Sequence, residues 1–396
     1  MTTITKPRIE SIDILRGVVM VIMALDHTRD FFHITAWTDD PLNLQTTTPA
    51  LFFTRWITHF CAPIFVFLSG VSIYLQGLKK TKTALSVFLI KRGLWLIFFE
   101  IIIVNFGTTF DPNFNSFYLV VVGAIGISML CMGLLIYLPF NFILGIGLLV
   151  VFGHNLLDFI ESSPNFKPNF WWDLLHHGNG VNYPFLPNHS FVILYPFVPW
   201  TGLMILGYCS GIFFTPKFSM EQRQKLFYRL GAALLVFFIV VRFINIYGDP
   251  HGWSIQKDGL FTLLSFIKVH KYPPSLMFMS VTIGIAFLFL AFIEKFKNRM
   301  TDMFQIYGRT ALFYYAIHWY VLHTVSLICF LLRGHSMEEG TQFAQIPFRY
   351  LVPGEGFNLP LVYIVWISVV IFMYPLCKWY DKYKANNKEK WWLSYL

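Results

Sequence analysis

The chain has 396 residues, of which 56% are hydrophobic, 19% aromatic and only 13% charged, with a mean hydropathy of +0.57. That composition excludes a soluble globular domain and describes a polytopic membrane protein. The net charge of +9 does not point to nucleic acid, because the basic residues sit in short clusters between apolar segments, as membrane-orientation signals do. Five cysteines lie within or at the ends of apolar stretches without metal-ligand spacing, so they read as packing residues and no metal is expected.

Apolar runs of about twenty residues predict ten membrane helices, at about 11–32, 51–77, 85–106, 117–138, 140–159, 190–214, 224–247, 273–294, 304–331 and 359–380. Only Pro139 to Asn141 separates the fourth from the fifth, so a tight hairpin is required there. Counting Lys and Arg in alternate connections puts seventeen on one side, from Lys6 to Lys390. The other side has six: Lys167, Lys257, Lys268, Lys271, Arg333 and Arg349. The positive-inside rule then places both termini in the cytoplasm. The expectation is an all-α polytopic integral membrane bundle of about ten helices, forming one transmembrane domain over 1–396. The long connections at about 33–50, 160–189, 248–272 and 332–358 then fall outside, where they are placed to shape a cleft.

The first helix carries charge where none is expected. Asp13, Arg16, Met20, Met23, His27 and Asp30 follow in steps of three and four, which puts them on one face. Arg16 and His27 are separated by ten residues, and this spacing is about 16 Å of helix. Gly17 and Ala24 beside the seam permit close approach of a neighbour. Asp13 is spaced to pair with Arg16, and Asp30 to pair with or orient His27; Asp26 is turned away by about 100°. An ionisable residue inside a membrane helix is by default a functional candidate, although a buried structural ion-pair network satisfies the same residues.

Depth along the predicted spans gathers other groups at the same two levels. His27, His59, Glu100, Asn105, Arg242, His318 and His323 fall in the outer half, where several imidazoles imply a polar cavity. Arg16, Lys91, Arg92 and Arg309 fall near the cytoplasmic end and suit phosphate, with snorkelling to headgroups as the bland alternative. Arg55 lies one turn before His59, and Lys271-Tyr-Pro-Pro-Ser275 brings a cation and a phenol to the wall of the outer cavity.

These residues also carry a resemblance. Ser11-Ile-Asp-Ile-Leu-Arg-Gly17, Asp26-His27-Thr-Arg-Asp-Phe-Phe-His33, Ala62-Pro-Ile-Phe-Val-Phe-Leu-Ser-Gly70 and Lys271-Tyr-Pro-Pro-Ser275 resemble the bacterial relatives of heparan-α-glucosaminide N-acetyltransferase. The Arg16 to His27 spacing is also similar to the motif of the membrane acyltransferase-3 proteins. The resemblance implies transfer of an acetyl group from cytoplasmic acyl-CoA to an acceptor across the membrane, with a helix-borne histidine at the transfer point. His27 matches the acyltransferase-3 histidine, whereas the human-type enzymes place theirs nearer the position of His33.

The resulting expectation is a multi-pass acyltransferase of the bacterial inner membrane with acetyl-CoA as co-substrate. Its partners are the bilayer, a glycan or envelope-saccharide acceptor and, in an oligomer, a second copy of the chain; nucleic acid is not among them. His27 is the base or acyl carrier, Asp30 orients it, and His59 or His318 assists the acceptor or oxyanion. Arg16, Lys91, Arg92 and Arg309 hold the CoA phosphates, and Arg55, Arg242, Lys271 and Tyr272 face the acceptor. The competing reading is a proton-coupled secondary transporter, against which no paired, Gly/Pro-broken spans occur in corresponding halves.

Overall fold

The computed structural model describes residues 9–178, 180–341 and 348–394. Lys6 and Arg8, which enter the orientation count, lie outside the described residues. Every predicted span contains a helix: α1 (Glu10–Phe32), α2 (Pro49–Ile57) continuing into α3 (Cys61–Gly77), and α4 (Lys82–Phe99) continuing through a π-turn (Glu100–Val104) into α5 (Asn105–Thr109). There follow α6 (Val121–Leu135), α7 (Phe140–Gly153), the short α8 (Asp158–Glu161) and α9 (Phe170–Leu175), α10 (Phe197–Ser210) and α11 (Met220–Ile244). The last third holds α12 (Gly259–Ile267), α13 (Leu276–Ile293), α14 (Arg299–Arg309), α15 (Ala311–Leu332) and α16 (Leu359–Asn386).

Among the described residues, seven helical runs are long and apolar enough to cross a membrane: Pro49–Gly77, Phe140–Glu161, Phe197–Phe214, Met220–Ile244, Leu276–Ile293, Ala311–Leu332 and Leu359–Asn386. The remaining three predicted spans do not reach that standard. α1 and α4 carry several charges, and α6 has only 15 residues.

Two corrections follow. The fold is not purely helical: β1 (Ser116–Leu119), β2 (Val181–Leu186) and β3 (His189–Ile193) form a three-stranded sheet in the order β1-β3-β2, parallel between β1 and β3 and antiparallel between β3 and β2. The helices predicted to start at 117 and 190 therefore begin as strands, whose bulky Phe117, Tyr118, Phe191 and Val192 favour extended backbone. The ninth predicted span is likewise two helices. α14 ends at Arg309, and its Gly308 sits so close to the backbone of Asp13 that no side chain fits.

Gly17 meets the backbone of Phe304 in the same crossing, so α1 and α14 touch main chain to main chain. Trp366 on α16 donates its indole N–H to the Val21 carbonyl at 2.8 Å. α1 is thereby enclosed along most of its length. Its apolar residues Leu15, Val19, Met20 and Ala24 are buried together with the polar Asp13 and Asp26.

Candidate functional site

Two cavities lie one after the other along α1. The first, about 730 Å³, is lined on α1 by Met23, Asp26, His27, Arg29 and Asp30; the second, about 530 Å³, by Arg16 and Met20. α3 passes both, with Cys61 and Ala62 in the first and Ser69, Ser72 and Gln76 in the second. The chain around the α14–α15 break does the same, with Trp319 in the first and Gly308, Arg309, Ala311 and Leu312 in the second. Phe65, Val121 and Tyr315 face both cavities and form the wall between them. The seam read from the sequence is therefore shared between two chambers.

All four long connections reach the first chamber. Trp37 to Pro41 come from the first, Gly180 from the second, Lys271 and Tyr272 from the segment before α13, and Phe348 from the last.

His27 stands at the junction of α1 and α15. Its ring lies on Trp319 with centroids 3.9 Å apart, and its Nδ1 is 2.6 Å from Nε2 of His318. His318, fully buried, has its own Nδ1 3.1 Å from the Tyr314 carbonyl. A carbonyl only accepts, so His318 carries its proton on Nδ1 and offers a lone pair at Nε2. His27 must then donate from Nδ1, which leaves its Nε2 as a lone pair available for proton abstraction.

His27 Nδ1 thus meets His318 and not Asp30, the partner expected from the helix spacing. The Asp30 carboxylate accepts instead from Arg29 Nη2 at 2.5 Å. Asp26 is the hub of the neighbouring charge cluster: its two oxygens take Arg29 at 3.3 Å and Arg55. Arg55 and Lys271, both on the chamber wall, bring cationic charge close to His27. Lys271 Nζ lies 5.0 Å from the centre of the Tyr272 ring. Burial raises the Tyr272 phenol, but Lys271 and Arg55 outweigh it and hold the group below its ordinary value.

Several expected site residues are elsewhere. His59 is buried against Phe278, with ring centroids 5.4 Å apart, and does not line the chamber. His33 folds back on Thr35 and is also absent from the wall, which separates it from His27. Arg242 is a structural clamp. It donates to the carbonyls of Phe266 (2.9 Å), His251 (2.8 Å), Ser265 (3.2 Å) and Lys268 (2.6 Å), and Asp249 lies 3.7 Å away. His323 faces the carbonyls of Gly107 and Arg349 and stacks on Phe110 at 3.8 Å.

Glu100 lines the first chamber from the π-turn, and its carboxylate accepts from Val120 N at 2.6 Å and Gly123 N at 2.8 Å. It therefore caps the N-terminus of α6 from another helix, where the helix dipole favours negative charge. Asn105, one turn on, receives Tyr118 N and donates to the Ser116 carbonyl, which anchors β1.

The second chamber is basic. Arg16, Lys80, Arg92, Arg309 and Lys384 line it. Arg16 is held by Asp13 at 3.3 Å and by Ser72 Oγ at 3.2 Å, as the seam spacing anticipated for Asp13. Arg309 is engaged by Asp381 through two hydrogen bonds of 2.9 and 2.6 Å. Lys91 is exposed and points away from the chamber, whereas its neighbour Arg92 faces it. Lys80 and Lys384 reach the chamber because α3 and α16 end beside it.

Fold and site together define a helical membrane protein with a histidine-bearing polar chamber and a basic chamber separated by one wall. The model of the family described as heparan-alpha-glucosaminide N-acetyltransferase, catalytic, matches residues 8–243. The match spans more than half of the chain, which therefore belongs to this family and is a membrane acyltransferase. It takes in Arg16, His27, Arg55, Arg92 and Glu100, and ends before Lys271, Tyr272 and His318. No curated protein matches the chain.

Proposed function

We propose that this protein transfers an acetyl group from acetyl-CoA, held in the basic chamber, to an amine or hydroxyl of a saccharide bound in the histidine chamber. The observation that carries this reading is the pair of chambers along α1, with Arg16 in one and His27 in the other. Volumes of about 730 and 530 Å³ match those of small-molecule sites.

Acetyl-CoA supplies an activated thioester carbonyl. Arg16, Lys80, Arg92 and Lys384 fit its phosphates, since guanidinium and ammonium groups converge on one opening. His27 Nε2 takes the proton of the acceptor amine or hydroxyl as the acceptor attacks the thioester carbonyl; the C–S bond then breaks, and His27 returns the proton to the leaving CoA thiolate. His318 holds the His27 proton on Nδ1, so the reacting nitrogen always presents its lone pair. Arg55 and Lys271 stabilise negative charge developing on the carbonyl oxygen, and Trp319 fixes the plane of the imidazole. The domain is taken as one unit over 1–396, with the basic chamber open to the cytoplasm of a bacterial inner membrane and the histidine chamber to the far side.

The test is incubation of the purified protein in detergent with labelled acetyl-CoA and a panel of amino sugars. Acetyl transfer or hydrolysis that His27→Ala abolishes, with folding retained, supports the reading. Full turnover by that variant overturns it, and CoA-independent solute uptake into proteoliposomes would establish a transporter instead.

A further inference from the structure

Away from both chambers, the fold assembles a set of metal donors that no sequence motif announces. His154, Asp158 and Glu161 are spaced by four and three residues, so they share one face of the chain running from α7 into α8. His176, just after α9, closes on that face. One ligand atom from each of Asp158, Glu161 and His176 lies within 4.8 Å of the others. We propose that Asp158, Glu161 and His176 bind one divalent cation of the zinc class.

Three observations carry the assignment. The donor set is two carboxylate oxygens and one imidazole nitrogen, which suits zinc and its first-row neighbours rather than calcium or magnesium. Among the described residues, neither carboxylate is paired with a lysine or arginine: Asp158 accepts from Asn155 Nδ2 at 2.7 Å, and Glu161 from Trp172 Nε1 and His176 Nδ1, each at 2.7 Å. Two carboxylates so close gather negative charge that a cation would balance.

The third observation is His154. It is buried, and its Nδ1 lies 3.0 Å from His176 Nε2. A cation on His176 Nδ1 leaves Nε2 of that ring to donate to His154. A second group accepting the far N–H is the usual support of a metal-bound histidine.

The imidazoles are buried and the Glu161 side chain is only 8% exposed, so access is past Asp158. The cation would tie α8 to the chain after α9. The clamp extends further, because Asn155, which orients Asp158, also accepts from the Leu276 amide at the start of α13 at 2.9 Å.

The experiment uses the full-length protein without a histidine tag, stripped with EDTA in detergent and titrated with Co²⁺. Metal content and the visible cobalt absorption are followed, and Zn²⁺ serves as competitor. We expect one Co²⁺ per chain, displaced by Zn²⁺, and lost in both Asp158→Asn/Glu161→Gln and His176→Gln. His154→Ala should keep the stoichiometry with affinity about 10- to 100-fold weaker. No saturable uptake by the unaltered protein, or uptake unchanged in a variant that retains its helix content and elution volume, overturns the proposal. Since the unaltered protein alone can give the negative result, misfolding of a variant does not shield the idea. None of these readouts depends on acetyl transfer.

Discussion

His318 stands directly behind His27, with 2.6 Å between its Nε2 and His27 Nδ1, so the proton position on one ring fixes that on the other. The Tyr314 carbonyl, 3.1 Å from His318 Nδ1, sets the direction of the relay. His318→Ala should lower kcat on the order of a hundredfold, within the range of positioned general bases, and leave KM for acetyl-CoA nearly unchanged. His318→Asn, whose amide can also donate and accept, should recover part of the loss. Steady-state kinetics on the three proteins, with the pH profile of kcat, decides the matter; equal profiles would make His318 a packing residue.

Arg16→Gln and Arg92→Gln should act on the other chamber. A charge-assisted hydrogen bond to phosphate is worth about 1.5–3 kcal/mol, so each change should raise KM for acetyl-CoA about tenfold or more and spare kcat. Arg309→Gln should in addition lower the unfolding temperature, because it removes the two hydrogen bonds to Asp381.

Tyr315, on the wall between the chambers, should limit wasteful reaction. Tyr315→Ala opens a gap at that level, and acetyl-CoA hydrolysis without acceptor should rise several-fold while the acceptor-dependent rate falls. Release of free CoA, measured with and without amino sugar, reads both quantities at once.

Arg242→Met should act on stability, because the guanidinium is held by backbone carbonyls. Arg242→Met withdraws the donors of four carbonyls in the segment preceding α13 and leaves Asp249 without its cation. A loss of about 3 kcal/mol is expected, since removing one partner of a buried charge costs that order. Thermal unfolding should show it, while KM for the acceptor stays constant at temperatures where the variant is folded.

His335 provides a surface test of pH dependence. Its hydrogen bond to Glu355, at 2.9 Å, raises its protonation above the ordinary histidine value. A raised folded-state value means that its stabilisation is fully present below about pH 6.5, the unfolded value, and is lost as pH climbs through the folded value. His335→Ala should therefore lower the unfolding temperature more at pH 5.5 than at pH 8.5.

The helices were legible because apolar runs of membrane length leave little choice of structure. The strands were not: Phe117 to Leu119 and Phe191 to Ile193 are as apolar as the helices that follow, so a window of hydropathy runs across the boundary. The seam on α1 was legible as periodicity, including the Asp13–Arg16 pair. What periodicity cannot supply is a partner from another helix. Asp26 looked turned away because its main partner, Arg55, lies on α2, and Asp30 looked well placed for His27 because Arg29, adjacent in sequence, was left out of the count. Lys91 and Arg92 are one residue apart, about 100° on a helix, and only packing decides which of them faces the chamber.

The wall of Phe65, Val121 and Tyr315 also has an electrical meaning. With the two chambers open to opposite sides, as proposed above, this layer is the insulator between them, and a membrane voltage would drop mainly across it rather than across the whole bilayer. A unit charge crossing that layer would gain or lose about 2.3 kcal/mol per 100 mV. Under the proposed reaction the acyl group replaces the acceptor's proton and leaves CoA as a thiolate, so one proton must return from His27 across this layer for each acetyl group transferred.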